Sequence, residues 1–368
     1  MLIRSAAISA LALSAAAACA TPPAPDAAQL VPSPAGWASP VVAGQVFVMA
    51  VAETDPVSTL GDAADDPAFW RHPADAARSM VLGTDKRVGL YAYDLSGRNL
   101  QSLPIGQLNN VDVRQSADRA FDVATASNRS TNAVSVFLID RASGEISHKG
   151  DVPTGMEEPY GLCQARDNGR DLAAVTYKDG TVQIFDIDIT EGGVSGDLLK
   201  TIKLETQLEG CVFDEVNGNL FIGEEALGLW VVAWRDDVPL PRLIDQVGSG
   251  TGLAADVEGI SLWRGAAGEG WIVVSAQAED RYVVYERKAP HAHRGSFSVM
   301  ANEALGIDGV SHTDGLDVFS GALPGFPRGL LMVQDDANPN KGENQNFKLV
   351  SWADIEAALG LPELEPET

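Results

Sequence analysis

Apolar and polar residues alternate in short runs along most of the chain, and helical periodicity is almost absent before Trp352–Leu359. The runs are rich in β-branched and aromatic residues, with Gly, Asp or Asn at their ends. Six of them align as one repeated strand: Gly89–Asp94, Ala133–Leu138, Thr181–Asp186, Gly228–Ala233, Arg281–Glu286 and Asn346–Ser351. Their equivalent positions Leu90, Val134, Val182, Leu229, Tyr282 and Phe347 are spaced by 44, 48, 47, 53 and 65 residues. Each is preceded by another apolar strand, Met80–Leu82, Phe121–Ala124, Leu172–Thr176, Leu220–Gly223, Trp271–Ser275 or Leu330–Val333. A third strand lies further upstream in each unit. A period of roughly 45–50 residues with several strands per unit predicts an all-β, six-bladed β-propeller with four-stranded antiparallel blades. The extra strand Gln45–Ala52 is expected to pair with the last blade and close the ring.

The third strands open on Asp66, Asn110, Tyr160, Glu209, Glu258 and Asp314. In a propeller the innermost strand of each blade lines the channel, so these six residues are expected to form a ring at one rim. The next strands run back to that rim and end at Lys86/Arg87, Asn128/Arg129, Lys178/Asp179, Glu224/Glu225, Gln277 and Asp335. Recurring turns explain the Gly and some of the Asp. They do not explain Glu209 and Glu258, because Glu is a poor turn former and each directly precedes an apolar strand. Converging carboxylates raise one another's pKa unless cations sit between them. A rim of carboxylates and cations therefore suits calcium together with an anionic substrate.

The charge changes what can be excluded. Lys plus Arg number 26 against 51 Asp plus Glu, a formal net charge of -25, which argues against nucleic acid as a partner. No nucleophilic-serine, P-loop or dinucleotide fingerprint is present. The five His offer one close pair, His291/His293, in a polar loop without a neighbouring carboxylate, which argues against zinc. Residues 1–20 read as a signal peptide with Arg4 and an Ala/Leu run. Ala18-Cys19-Ala20 fits cleavage, while Ala16–Cys19 resembles a lipobox that removes 1–18 and leaves Cys19 as a lipid anchor. Residues 21–44 read as a Pro/Ala-rich linker and 45–362 as the propeller. The chain is expected to be exported, as a periplasmic, outer-membrane-anchored or secreted protein. Export permits a disulfide between Cys163 and Cys211, with two buried free thiols as the competing reading.

Several stretches resemble the β-propeller phytases, a calcium-dependent alkaline family. They are Glu53–Trp70, Leu108-Asn-Asn-Val-Asp-Val-Arg114, Ala126-Ser-Asn-Arg129, Asp256-Val-Glu-Gly259, Thr313-Asp-Gly-Leu-Asp317 and Gln345-Asn-Phe-Lys-Leu349. They occur in the family's order from about Glu53 to Trp352. The resemblance implies a 3-phytase-type phosphoric monoester hydrolase that acts on myo-inositol hexakisphosphate (phytate) and lower inositol phosphates. It implies several calcium ions at Glu53, Asp65, Asp66, the carbonyls of Pro67 and Val111, Glu209, Glu225, Glu258, Gln277, Asp308, Asp314 and Asp335. Tyr160 matches a position beside the active-site metals. Lys86, Arg87, Arg129 and Lys178 match phosphate-contacting positions, and with Tyr160, Glu209 and Glu258 they make up the implied catalytic set. Arg87 stands where the family often has Lys, Ala337 where it has a carboxylate, and Ala278-Glu279 where Gly-Asn is usual. The expected reaction is direct, in-line attack of calcium-activated water on phosphorus, by a monomer without an obligate protein partner. Two other readings keep the fold: a calcium-dependent propeller lactonase or other ester hydrolase, and a non-catalytic binding propeller.

Overall fold

The structure is a computed structural model, and it describes residues 45–342 and 344–367. The expected signal peptide, lipobox and linker lie outside the described residues. Strand β1 (Gln45–Glu53) comes first. Blade 1 follows with β2 (Ala64–Trp70), β3 (Met80–Asp85), β4 (Gly89–Asp94) and β5 (Asn99–Leu103). Blade 2 is β6 (Leu108–Arg114), β7 (Phe121–Asn128), β8 (Ala133–Asp140) and β9 (Ile146–Pro153). Blade 3 is β10 (Leu162–Asp167), β11 (Arg170–Thr176), β12 (Thr181–Thr190) and β13 (Gly193–Lys203). Blade 4 is β14 (Leu208–Asp214), β15 (Asn219–Glu224), β16 (Gly228–Ala233) and β17 (Arg242–Gln246). Blade 5 is β18 (Val257–Arg264), β19 (Gly270–Ala276), β20 (Arg281–Glu286) and β21 (His293–Met300). The last set is β22 (Leu316–Phe319), β23 (Leu330–Asp335), β24 (Asn346–Ser351) and helix α1 (Trp352–Leu359).

Blades 1 to 4 are separate four-stranded sheets, while the rest form one sheet in the order β18-β19-β20-β21-β1-β24-β23-β22. Strand β1 supplies the fourth strand of blade 6, antiparallel to β24 with Ala50 opposite Val350 and Glu53 opposite Lys348. Its other edge runs parallel to β21, from Gln45 opposite Ser296 to Met49 opposite Met300. Both edges of β1 are thereby paired, and blades 5 and 6 become continuous. The inner strands β2, β6, β10, β14, β18 and β22 touch in a closed cycle, which gives six blades around a central channel.

The apolar core lies between neighbouring blades. Cys163, Leu172 and Ile184 of blade 3 pack with Phe213, Ile222 and Trp234 in and beside blade 4. Each buried aliphatic or aromatic side chain contributes roughly 1.5–3 kcal/mol. Buried ion pairs also join the blades: Arg287 donates from Nε and Nη2 to the two oxygens of Asp214, at 3.0 and 2.7 Å. Of the two cysteine readings the disulfide holds. Cys163 and Cys211 are bonded across β10 and β14, with Cα atoms 5.6 Å apart. His291 fills space edge-on to Phe221 and its Nδ1 lies 3.2 Å from the Glu286 carbonyl, so it serves the core.

Candidate metal and phosphate site

Four inner strands carry a β-bulge at their upper end. The ladder shifts between Ala64 and Pro67, Leu108 and Val111, Leu208 and Cys211, and Val257 and Ile260. A bulge sets two residues against one partner and re-aims their side chains. The bulged pairs are Asp65-Asp66, Asn109-Asn110, Glu209-Gly210 and Glu258-Gly259. This register corrects the ring read from the strand openings. Asp65 and Asn109, not Asp66 and Asn110, are the equivalents of Glu209 and Glu258. The preceding-strand residues Tyr160-Gly161 and Asp314-Gly315 occupy the same place in blades 3 and 6.

In blades 3 to 6 the second residue is Gly (Gly161, Gly210, Gly259 and Gly315) for a steric reason, not because it turns the chain. A Cβ at Gly161 would lie 1.9 Å from the Glu209 carbonyl oxygen, and one at Gly210 would lie 1.9 Å from that of Glu258. At Gly315 it would meet Asp66 Oδ1 at 2.1 Å. The inner strands converge so closely that each of these four glycines sits against the next blade. Gly259 N donates to Asp314 O at 2.8 Å and Gly315 N donates to Asp65 O at 3.1 Å.

This convergence concentrates acid. Carboxylate oxygens of Glu209, Glu225 and Glu258 lie within 4.8 Å of one another. Gln277 Nε2 donates to Glu258 Oε2 at 2.8 Å and to Asp314 Oδ1 at 2.5 Å. Asp65 is fully buried and neither of its carboxylate oxygens has a hydrogen-bond partner. Burial, then the neighbouring acids, hold the carboxyls of Glu209 and Glu258 well above the ordinary range. Burial pushes Glu225 up to about 7, against the hydrogen bond from Gln207. Burial raises Asp65 and Asp314 too, against the opposing charge of Lys86. Burial and then Glu209 raise the Tyr160 hydroxyl, which therefore keeps its proton.

Cations enter from neighbouring strand ends. Lys86 Nζ lies 2.6 Å from Asp314 Oδ2, 3.9 Å from Asp65 Oδ2 and 2.5 Å from Asp62 Oδ1. Arg129 is partly buried, and its Nε has no hydrogen-bond partner. Lys178 is exposed and stands 4.3 Å over the Tyr160 ring. Arg87 is exposed, and its backbone N–H donates to Asp85 Oδ1 at 2.9 Å. Five carboxylates (Asp65, Glu209, Glu225, Glu258 and Asp314) thus meet one enclosed ammonium. An all-oxygen, charge-rich set with unpartnered buried oxygens fits a hard divalent cation.

The other implied ligands fall into two further groups. Asp66, Pro67 and Val111 line the channel, of about 310 Å³, and Asp66 Oδ2 accepts the Val111 N–H at 3.0 Å. Burial, then Asp65, hold the Asp66 carboxyl well above its usual range. Glu53, Asp308 and Asp335 gather around Lys348 and Asn346. The fully buried Lys348 ammonium donates to Asp308 Oδ1 at 2.8 Å, to Gly309 O at 2.9 Å and to Asp335 Oδ2. Asn346 Nδ2 donates to Glu53 Oε2 at 3.1 Å. Asp308 Oδ2, Asn338 Oδ1 and Asn346 Oδ1 are buried without partners, so acceptor oxygens remain in this group. Ala337 brings only its backbone N–H, which donates to Ser311 Oγ at 3.2 Å.

Sequence reasoning missed several members. Lys348 lies inside an apolar strand, Asp62 in a loop, and Gln207 donates from Nε2 to Glu225 Oε1 at 2.7 Å from outside any recurring position. Glu224, grouped with Glu225 at the strand end, turns elsewhere: its Oε1 accepts from Glu205 N at 3.0 Å and Thr206 N at 2.6 Å.

Residues 9–365 match the model of the family described as Phytase. A 3-phytase of Bacillus subtilis (strain 168) is 37% identical over 337 residues, covering 87% of each chain. Solved structures of similar outline include a functionally unknown protein from Desulfotomaculum acetoxidans, 14% identical with a TM-score of 0.45 over 62% of this chain and 70% of that one. Sqt1 of Saccharomyces cerevisiae is 12% identical with a TM-score of 0.44, over 83% of this chain and 89% of that one. Neither structural likeness carries an argument about function.

Proposed function

This chain belongs to the phytase family and is a 3-phytase-type hydrolase of phytate; from that premise we propose that calcium ions held by the acidic ring organise the reaction. The observation that carries the proposal is the ring itself: Glu209, Glu225 and Glu258 converge within 4.8 Å beside an Asp65 whose oxygens have no partner. Asp65, Glu209, Glu225, Glu258 and Asp314 would hold the ions. When bound, calcium supplies positive charge against the phosphoryl oxygens and activates the attacking water.

The remaining work falls to the chain's own groups. Gln277 locks Glu258 and Asp314 to each other through its two amide protons. Lys86 is gripped by Asp62 and Asp314, which hold its charge at the ring. Arg129 has an unpartnered Nε–H and Lys178 has an exposed ammonium, both suited to a phosphate oxygen. The disulfide supports the reading that the chain works in an oxidising compartment outside the cytoplasm.

Phosphate release from phytate by Glu209→Ala and Lys178→Ala beside wild type tests this reading. Glu209→Ala is expected to lower kcat by about 100-fold or more, and Lys178→Ala chiefly to raise KM, by about tenfold. Wild-type rates in Glu209→Ala would overturn it.

A further inference from the structure

Among the described inner-strand positions of the ring, Asn109 is the one that carries an amide. It fills in blade 2 the place that Asp65, Glu209, Glu258 and Asp314 fill with carboxylates, and it is fully buried. Its Nδ2 donates to Glu209 Oε1 at 2.9 Å and to Asn110 Oδ1 at 3.0 Å, which uses both amide protons. The Glu209 carboxylate fixes the amide's orientation, since the reverse would set oxygen against its ionised oxygen. Its own Oδ1 is left buried and without a partner. The backbone is pinned separately: the Asn109 carbonyl accepts from Thr84 Oγ1 at 2.5 Å, and Thr84 Oγ1 accepts from Asp66 N at 3.0 Å. Side-chain changes at Asn109 therefore leave the strand held.

From this geometry we infer that Asn109 is a positioning residue for the reaction, acting through Glu209; the inference rests on the calcium reading above. Glu209 sits among like charges that push its carboxylate away from Glu225 and Glu258. Among the described residues, the Asn109 amide is the side-chain donor that holds Glu209 Oε1. With that oxygen tied to blade 2, the Glu209 carboxylate is kept in place beside Glu225 and Glu258, within 4.8 Å. An ionised acid at position 109, the form bound calcium favours, could not do this, because it has no proton to give and would add charge beside Glu209.

Groups that orient metal ligands typically matter by about 10–100-fold in metal affinity or activity. The test is calcium binding by titration calorimetry on the apoprotein for wild type, Asn109→Ala and Asn109→Asp, with kinetics at saturating calcium. Asn109→Asp keeps the shape and an acceptor but removes the donor, and it covers the case in which Asn109→Ala does not fold. Both variants are expected to weaken calcium binding by about tenfold or more. Their kcat should fall by a similar factor, with KM for phytate changed less than about threefold. In a Glu209→Ala background, which removes the acceptor, Asn109→Ala should weaken calcium binding no further. Wild-type calcium binding in Asn109→Asp, or an additive loss in the Glu209→Ala background, overturns the inference. A wild-type chain that binds no calcium overturns the proposed function and the inference with it.

Discussion

Burial alone would push the Glu215 carboxyl up, yet Arg264 and Arg114, with nitrogens 2.9 and 2.8 Å from its oxygens, hold it at about 2, below the ordinary 4.5. Its folded pKa is depressed, so its contribution to stability is present above pH 4.5 and is lost as pH falls toward 2. That shift corresponds to roughly 3 kcal/mol. Glu215→Gln should therefore unfold at lower urea than wild type at pH 7, and the difference should shrink between pH 4.5 and 2; a difference constant with pH contradicts this. Asp65, Glu209 and Glu258 show the opposite balance, with burial raising all three. At this scale the sequence was only partly legible. Glu209 and Glu258 stood out because a Glu directly before an apolar strand has no ordinary turn role. The choice between Asp65 and Asp66, or Asn109 and Asn110, was not legible, because a bulge inserts one residue without leaving a compositional mark. Lys348 was hidden because a buried ammonium between two acids reads, in a strand, like any outward polar residue.

Repeating strands were legible as elements because each carries an uninterrupted apolar run against its neighbours, and α1 because it alone has helical spacing. The six aligned runs all fall on the third strand of their blades. The spacing could not reveal why Gly follows Tyr160, Glu209, Glu258 and Asp314. That reason is the distance between adjacent inner strands, which exists only once the ring has closed. The same closeness brings Cys163 of β10 to Cys211 of β14, 48 residues apart in sequence. Closing a loop of that length stabilises the fold by about 4 kcal/mol in the chain-entropy account. The double variant Cys163→Ser/Cys211→Ser should lose stability of that order in urea, with the wild type falling to the same midpoint under reductant. Equal midpoints for variant and oxidised wild type would contradict the bridge.

The molecule carries a formal charge of -25 and acts on a substrate that is itself highly anionic. Its acids divide into two kinds. Many are answered by arginines that stitch blades together, such as Asp171 by Arg119 and Asp214 by Arg287. Those of the ring face Lys86, Arg129 and Lys178 among the described residues, and on the proposed mechanism bound cations supply the remaining charge for the site to hold both carboxylates and phosphate. Cation binding to the folded state alone also stabilises it. On the proposed mechanism, phosphate release depends on calcium held at this ring. Release of inorganic phosphate from phytate, measured in excess EGTA and again after calcium is restored, tests it most directly. Activity is expected to be lost on chelation and recovered with calcium, whereas full turnover in excess EGTA would rule out a calcium-dependent reaction at the ring.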